Sequence, residues 1–263
     1  RHVGKAVGMP HRLILWDIDG TLLATGRAGR VALELAACRA AGLDGVPEVV
    51  MSGKTDPLIV RELLAGAGLG PAEVERVLPR ALEESHRILS AAADQVREEG
   101  AVHPGVRELL EALSGVQGVR QSLLTGNIAP NALFKVRAFG LDRHLDTEIG
   151  AYGTDHDERD GLVPIALERA RARRGETYRS DEVWVIGDTA RDLSCARAGG
   201  VRCLIVGTGH EGFDAVRGLG ADAVVENLAR TDLALEILVG ASDGSASDGS
   251  ASDGSASDGR GRA

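Results

Sequence analysis

The stretch Leu13-Ile14-Leu15-Trp16-Asp17-Ile18-Asp19-Gly20-Thr21 decides how the rest of the chain reads. Leu13–Trp16 is a short unbroken apolar run, the pattern of a strand buried on both faces of a parallel sheet. Asp17 and Asp19 follow it at i and i+2, where two carboxylates repel each other unless a cation or a proton is shared between them. Gly20 lets the backbone turn tightly just beyond. An ordinary turn with two solvated aspartates is the competing reading, because Asp-Gly is a common turn pair.

Outward from this strand, similar runs recur at Gln121–Leu124, Val183–Ile186 and Cys203–Val206, with a weaker one at Ala223–Val225. Helical periodicity lies between them, at Val106–Leu113, Asn131–Phe139, Pro164–Ala172 and Ala190–Ala198. Strand, helix, strand at this spacing predicts an α/β fold with a doubly wound parallel sheet, a Rossmann-like core. From Ala28 to about Glu99 the pattern is helical (Val31–Ala41, Pro57–Ala67, Ala72–Ser90), with Pro79 expected to break the last segment in two. A helical block inserted after the first strand of such a sheet reads as an all-α cap. His103-Pro104-Gly105-Val106 marks the return to the core, with the proline opening the next helix.

The expected organisation is a core formed by residues 9–26 and 100–240, a cap over 27–99 and a tail over 241–263. In the tail a five-residue unit of Ala, Ser, Asp and Gly repeats with no apolar side chain larger than alanine. Nothing there repays the entropy of ordering, so a disordered segment is expected. Met9 reads as a natural start, with residues 1–8 as an upstream extension.

Open α/β sheets bind ligands beyond the carboxyl ends of their strands. Leu124-Thr125-Gly126-Asn127 puts a hydroxyl at such an end beside helical N–H groups, where it suits a phosphate oxygen; a plain threonine N-cap would use the same residues. Gly187-Asp188-Thr189-Ala190-Arg191-Asp192 puts one carboxylate at a strand end and another four residues on, so that both can face one ion. Magnesium takes hard oxygen ligands of this kind, although Asp188 alone could simply cap the following helix. A charged loop, Asp157-Glu158-Arg159-Asp160-Gly161, precedes the helix before that strand.

Together and in this order, the motifs resemble the phosphatase branch of the haloacid dehalogenase superfamily over residues 13–207, with the small helical cap of phosphoglycolate phosphatases and β-phosphoglucomutases. The resemblance implies Asp17 as the nucleophile, Asp19 as the general acid/base and Thr125 as a phosphate ligand, with Gly126 and Asn127 beside it. It also implies Mg2+ held or supported by Asp17, Asp188 and Asp192 together with the backbone carbonyl of Asp19. The family's third motif is a lysine, often followed by proline, and here the pattern departs: Arg159 is the natural occupant. Its planar guanidinium can neutralise both the nucleophile and a phosphate oxygen. Lys135, ten residues after Thr125, competes for the role, but its place inside a helix suggests a core-edge or surface side chain.

The implied activity is hydrolysis of a small phosphorylated metabolite, phosphoglycolate-like or a sugar phosphate, through a phosphoaspartyl intermediate. A sugar phosphomutase is the nearest rival. Dehalogenation needs neither magnesium nor the second carboxylate, so Asp19 and Asp188 argue against it. Phosphonate cleavage would need a cap lysine as Schiff base, and Lys54, in Met51-Ser52-Gly53-Lys54-Thr55-Asp56, is the one lysine there. Lys54 reads equally as a substrate-contacting residue that sets specificity or as an ordinary surface lysine. A non-catalytic binding relative is disfavoured because every acid needed for turnover is present.

Composition fits this reading. The formal charge of −9 disfavours nucleic-acid or polybasic membrane binding. No apolar run approaches the ~20 residues of a membrane span, and Cys38, Cys195 and Cys203 lack metal-ligand spacing. Core thiols in a reducing compartment, the cytoplasm, are expected.

Overall fold

The computed structural model describes residues 11–240, so the expectations for the first residues and for the repetitive tail lie outside the described part of the chain. In chain order the elements are β1 (Arg12–Trp16), β2 (Leu23–Ala24), α1 (Ala28–Ala41), α2 (Asp56–Gly66), α3 (Pro71–Ala91), α4 (Ala93–Glu99), β3 (Ala101–Val102), α5 (Val106–Ser114) and β4 (Val119–Leu123). Then follow α6 (Ala129–Ala138), α7 (Leu162–Arg174), β5 (Val183–Gly187), α8 (Ala190–Ala198), β6 (Arg202–Val206), α9 (Phe213–Val216), β7 (Ala223–Val225) and α10 (Thr231–Val239).

Five strands form one sheet in the order β4-β1-β5-β6-β7, and every pairing in it is parallel. The apolar run of β1 is explained by burial on both faces. Ile14 and Trp16 join the side chains of α5, α6 and α10, whereas Leu13 and Leu15 join those of α7, α8 and α9. Two polar side chains are buried in β4: Gln121 accepts from Trp16 Nε1 at 3.2 Å and donates to the Leu110 carbonyl at 2.9 Å, and Ser122 Oγ donates to the Asp146 carbonyl at 2.7 Å, so both are satisfied.

Between β2 and β3 run the four helices α1–α4 of the cap. Leu33 and Ala37 of α1 pack with Ile59, Val60, Leu63 and Leu64 of α2 and Val74, Val77, Leu78 and Ala81 of α3 in a core of their own. The two ends of the insertion are tied by a short antiparallel pair, Leu23 with Val102 and Ala24 with Ala101. Strands of two residues have no periodicity to read, so nothing in the residue pattern announces them. On the return to the core it is Gly105, at φ +79°, that caps α5, so Pro104 does not open the helix. A side chain at Gly105 would place Cβ 1.8 Å from the Leu228 carbonyl. Among the described residues no helix is long and apolar enough to cross a membrane.

Pro79 does not break its helix: α3 is continuous over Pro71–Ala91 with the proline inside it. The reason is orientation. Pro79 and Glu75, whose carbonyl loses the missing N–H, both lie on the exposed face, where water can replace the lost bond, while Val74, Val77, Leu78 and Ala81 anchor the buried face. Interior proline still costs a helix about 3 kcal/mol relative to alanine, less the ~1 kcal/mol by which it restricts the unfolded chain. Pro79→Ala should therefore raise the urea midpoint, by about 1–2 kcal/mol in stability. An unchanged or lowered midpoint would show that α3 is adapted to the proline.

Candidate active site

The chain order of the sheet reverses about β1, which opens a crevice beyond its carboxyl end. Asp17 leaves β1, Thr125 follows β4 and Asp188 follows β5, so three adjacent strands deliver their terminal residues to one place. The backbone holds Asp17 there, its N–H donating to the Ile186 carbonyl at 2.9 Å. Gly20, at φ +84°, lets the chain turn back so that Thr21 Oγ1 donates to Asp188 Oδ1 at 3.2 Å.

Asp17, Asp188 and Asp192 are all buried, and each offers an oxygen within 4.8 Å of the others. Arg159, on a short turn before α7, places Nη2 3.1 Å from Asp17 Oδ1 and also donates to Asp192 Oδ1. Thr189 donates to the other oxygen of Asp192 twice, from its N–H at 3.0 Å and its hydroxyl at 2.7 Å. Burial pushes the Asp17 carboxyl up to about 6 against the pull of Arg159. Burial, reinforced by the Asp192 and Asp17 carboxylates, pushes Asp188 up to about 8. Fully ionised, three carboxylates facing one guanidinium carry an excess of two negative charges, the charge of a divalent cation. Hard oxygen donors in this number fit magnesium.

Asp19 points away from this cluster to a second cation. Lys135 Nζ donates to both its oxygens, at 2.8 and 2.6 Å, and to Asn127 Oδ1 at 2.7 Å. Asn127 Nδ2 in turn donates to Asp19 Oδ2 at 2.7 Å and to Thr125 Oγ1 at 2.9 Å. Thr125 thus accepts through Oγ1, leaving its own proton for an incoming oxygen. Lys135 is 5% exposed. That overturns the expectation of a core-edge or surface lysine, because α6 turns this face toward the crevice. Arg159 and Lys135 both reach the site, each on a different aspartate.

The cap closes over these residues around a cavity of about 670 Å³. Lys54 lines it and is mostly buried, which removes the surface-lysine reading; its Nζ lies 2.5 Å from Glu62 Oε2. Gly126 serves the junction: its carbonyl accepts from the Asp56 N–H at 2.7 Å, and a Cβ there would sit 2.1 Å from the Lys54 carbonyl. Asp56 itself escaped the sequence reading. It looks like a helix-start acid before Pro57, yet it is buried and its Oδ2 accepts from the Ile128 N–H at 2.9 Å and Asn131 Nδ2 at 3.4 Å. Burial pushes its carboxyl up to about 6, with Lys135 opposing. Thr208 and Gly209 after β6 were also missed; Thr208 donates to the Gly20 carbonyl at 2.6 Å, and a Cβ on Gly209 would meet Asp188 Oδ2 at 1.7 Å.

Sheet order, strand-end acids and capped crevice together define a hydrolase class, and residues 14–197 match the haloacid dehalogenase-like hydrolase family; the chain belongs to it. The chain is 29% identical to a phosphoglycolate phosphatase of Pseudomonas putida, over 88% of this chain and 80% of that one. It is 28% identical to a plasmid-borne phosphoglycolate phosphatase of Cupriavidus necator, over 84% and 92% respectively. The fold is shared with the crystal structure of CbbY from Rhodobacter sphaeroides in complex with phosphate, at a TM-score of 0.57 and 22% identity, covering 83% of this chain and 95% of the other.

The raised carboxyl groups make stability depend on pH. Asp17 and Asp188 titrate above their ordinary value of 3.8, so between about pH 4 and 8 the folded metal-free protein holds protons that the unfolded chain has released. Stability without metal should fall as pH rises through that window. Magnesium competes for the same oxygens, so it should raise Tm more at about pH 8 than at about pH 5. Melting curves with chelator and with magnesium at both pH values measure this; a metal-free Tm that rises with pH would contradict it.

Proposed function

We propose that this chain is a magnesium-dependent phosphatase that hydrolyses a small phosphorylated metabolite through a phosphoaspartyl intermediate on Asp17. The observation that carries the reading is the division of cations. Arg159 faces Asp17, and Lys135 faces Asp19, so two carboxylates two residues apart have different environments and can take different roles. Asp17 Oδ attacks phosphorus as the bond to the leaving oxygen breaks, and Asp19, once it has gained a proton and released one of its bonds from Lys135, gives that oxygen the proton. Asp19, now ionised, takes a proton from water as the water attacks the acyl phosphate, releasing inorganic phosphate and restoring Asp17. Arg159 offsets the charge of nucleophile and phosphoryl group, and the Thr125 hydroxyl, which Asn127 orients by donating to its oxygen, offers its proton to a transferred oxygen.

Asp17 and Asp188, with the Asp19 carbonyl, would hold the ion. Asp192 stands behind them, since Thr189 and Arg159 already occupy both its oxygens. Bound there, magnesium supplies positive charge to the nucleophile and the phosphoryl oxygens. The phosphonate alternative loses support because it needs a free amine and Lys54 is held by Glu62. Phosphoglycolate is the natural substrate to test first, given the relatives' names, with sugar phosphates beside it. The three free thiols, two of them buried, support a reducing compartment such as the cytoplasm.

With magnesium, purified protein should release inorganic phosphate from at least one member of a panel of phosphorylated metabolites, and chelation should stop it reversibly. Asp17→Asn keeps the shape and removes the nucleophile, so kcat should fall more than about a thousandfold in a variant with an unchanged circular dichroism spectrum. Near-normal turnover by that variant would sink the assignment. An isomeric sugar phosphate formed without free phosphate would favour a mutase.

A further inference from the structure

The half of the cavity away from Asp17 is what a leaving group would meet. The cap gives it an apolar stretch, Val49, Val50 and Met51 from the loop before α2, backed by the buried Leu33 and Ile59 and set among polar groups that include Ser52, Lys54 and His210. Val50 is 70% exposed, one of only two large apolar side chains left exposed among the described residues, and it sits at this cavity. With Val49 and Met51 beside it, Val50 gives the cavity an apolar edge that the apolar face of a ligand would cover.

The charges lining the cavity support the same conclusion. Four Lys or Arg side chains line it, and each already faces a carboxylate: Arg159 with Asp17 at 3.1 Å, Lys135 with Asp19 at 2.6 Å, Lys54 with Glu62 at 2.5 Å and Arg30 with Glu34 at 3.1 Å. Arg30 is further engaged by the Val49 carbonyl at 3.4 Å. His103 is held toward its neutral form by burial, and its Nε2 has no partner. The distal half therefore offers neutral polar groups and apolar surface, and no uncommitted Lys or Arg charge. A carboxylate or second phosphate lodged there would lose its water and meet only cations already paired with glutamates.

Resting on the phosphatase reading above, we infer that the preferred substrate is the phosphate monoester of an uncharged, ring-sized alcohol with an apolar face, and that phosphoglycolate is a poor one. The cap selects by covering the ring with Val49, Val50 and Met51, while the paired Glu62 and Glu34 cancel the cations that would attract an acid.

The test is kcat/KM with magnesium for benzyl phosphate, 4-carboxybenzyl phosphate and phosphoglycolate. The first two share a leaving oxygen and a ring and differ in the distal charge. Benzyl phosphate should exceed both others by about tenfold or more. Glu62→Gln, which frees the charge of Lys54, should raise 4-carboxybenzyl phosphate selectively and leave benzyl phosphate within about twofold. Phosphoglycolate or the carboxylated ring turned over as well as benzyl phosphate would overturn the inference and leave the phosphatase reading standing. No hydrolysis of any of the three, nor of the metabolite panel, would remove that reading and the inference with it.

Discussion

Keeping three carboxylates together and out of water is the constraint on which the carboxyl end of this sheet is built. Asp17, Asp188 and Asp192 are 4%, 5% and 0% exposed, so their mutual repulsion is barely screened by solvent. Much of the surrounding detail serves to hold them there. Thr21 and Thr189 donate to them, Arg159 bridges two of them, and the neighbouring loops bring glycines against them. A Cβ on Gly187 would fall 1.9 Å from Asp192 Cγ, and one on Gly20 2.4 Å from Asp188 Oδ2. A site held this tightly is preorganised for a cation and for charge that develops during reaction.

The cap is fitted to the same end of the sheet through backbone contacts as well as side chains. Asp56 ties the start of α2 to the start of α6, and the Gly126 carbonyl accepts from its N–H. The loop after β4 and the cap loop that carries Ser52 to Lys54 are thus one seam. Arg159 extends it by donating to the Gly53 carbonyl at 3.4 Å. Whatever fills the crevice meets the strand-end acids on one side and the cap loop on the other.

The core strands and the strand-end acids were legible in the sequence because burial on both faces forces unbroken apolar runs, and because paired acids after such runs have few structural uses. The cap helices were legible by their apolar period. What stayed hidden depends on long-range placement. Lys135 reads as a helical surface lysine until α6 is docked with that face toward Asp19, and Asp56 reads as an ordinary helix-start acid until α2 meets Ile128. Pro79 was misjudged because sequence alone does not say which face of a helix is wet. The strand pair at the root of the cap is too short to leave a pattern.

The proposed reaction turns on one covalent step, the transfer of the phosphoryl group to Asp17. Rapid acid quench during steady-state turnover, followed by peptide mass mapping, reads it directly. The predicted result is a phosphorylated peptide containing Asp17, labile to hydroxylamine, present with magnesium and absent from Asp17→Asn. Turnover with no phosphopeptide at any quench time, and with the solvent oxygen carried into phosphate in a single displacement of inverted stereochemistry, would contradict it.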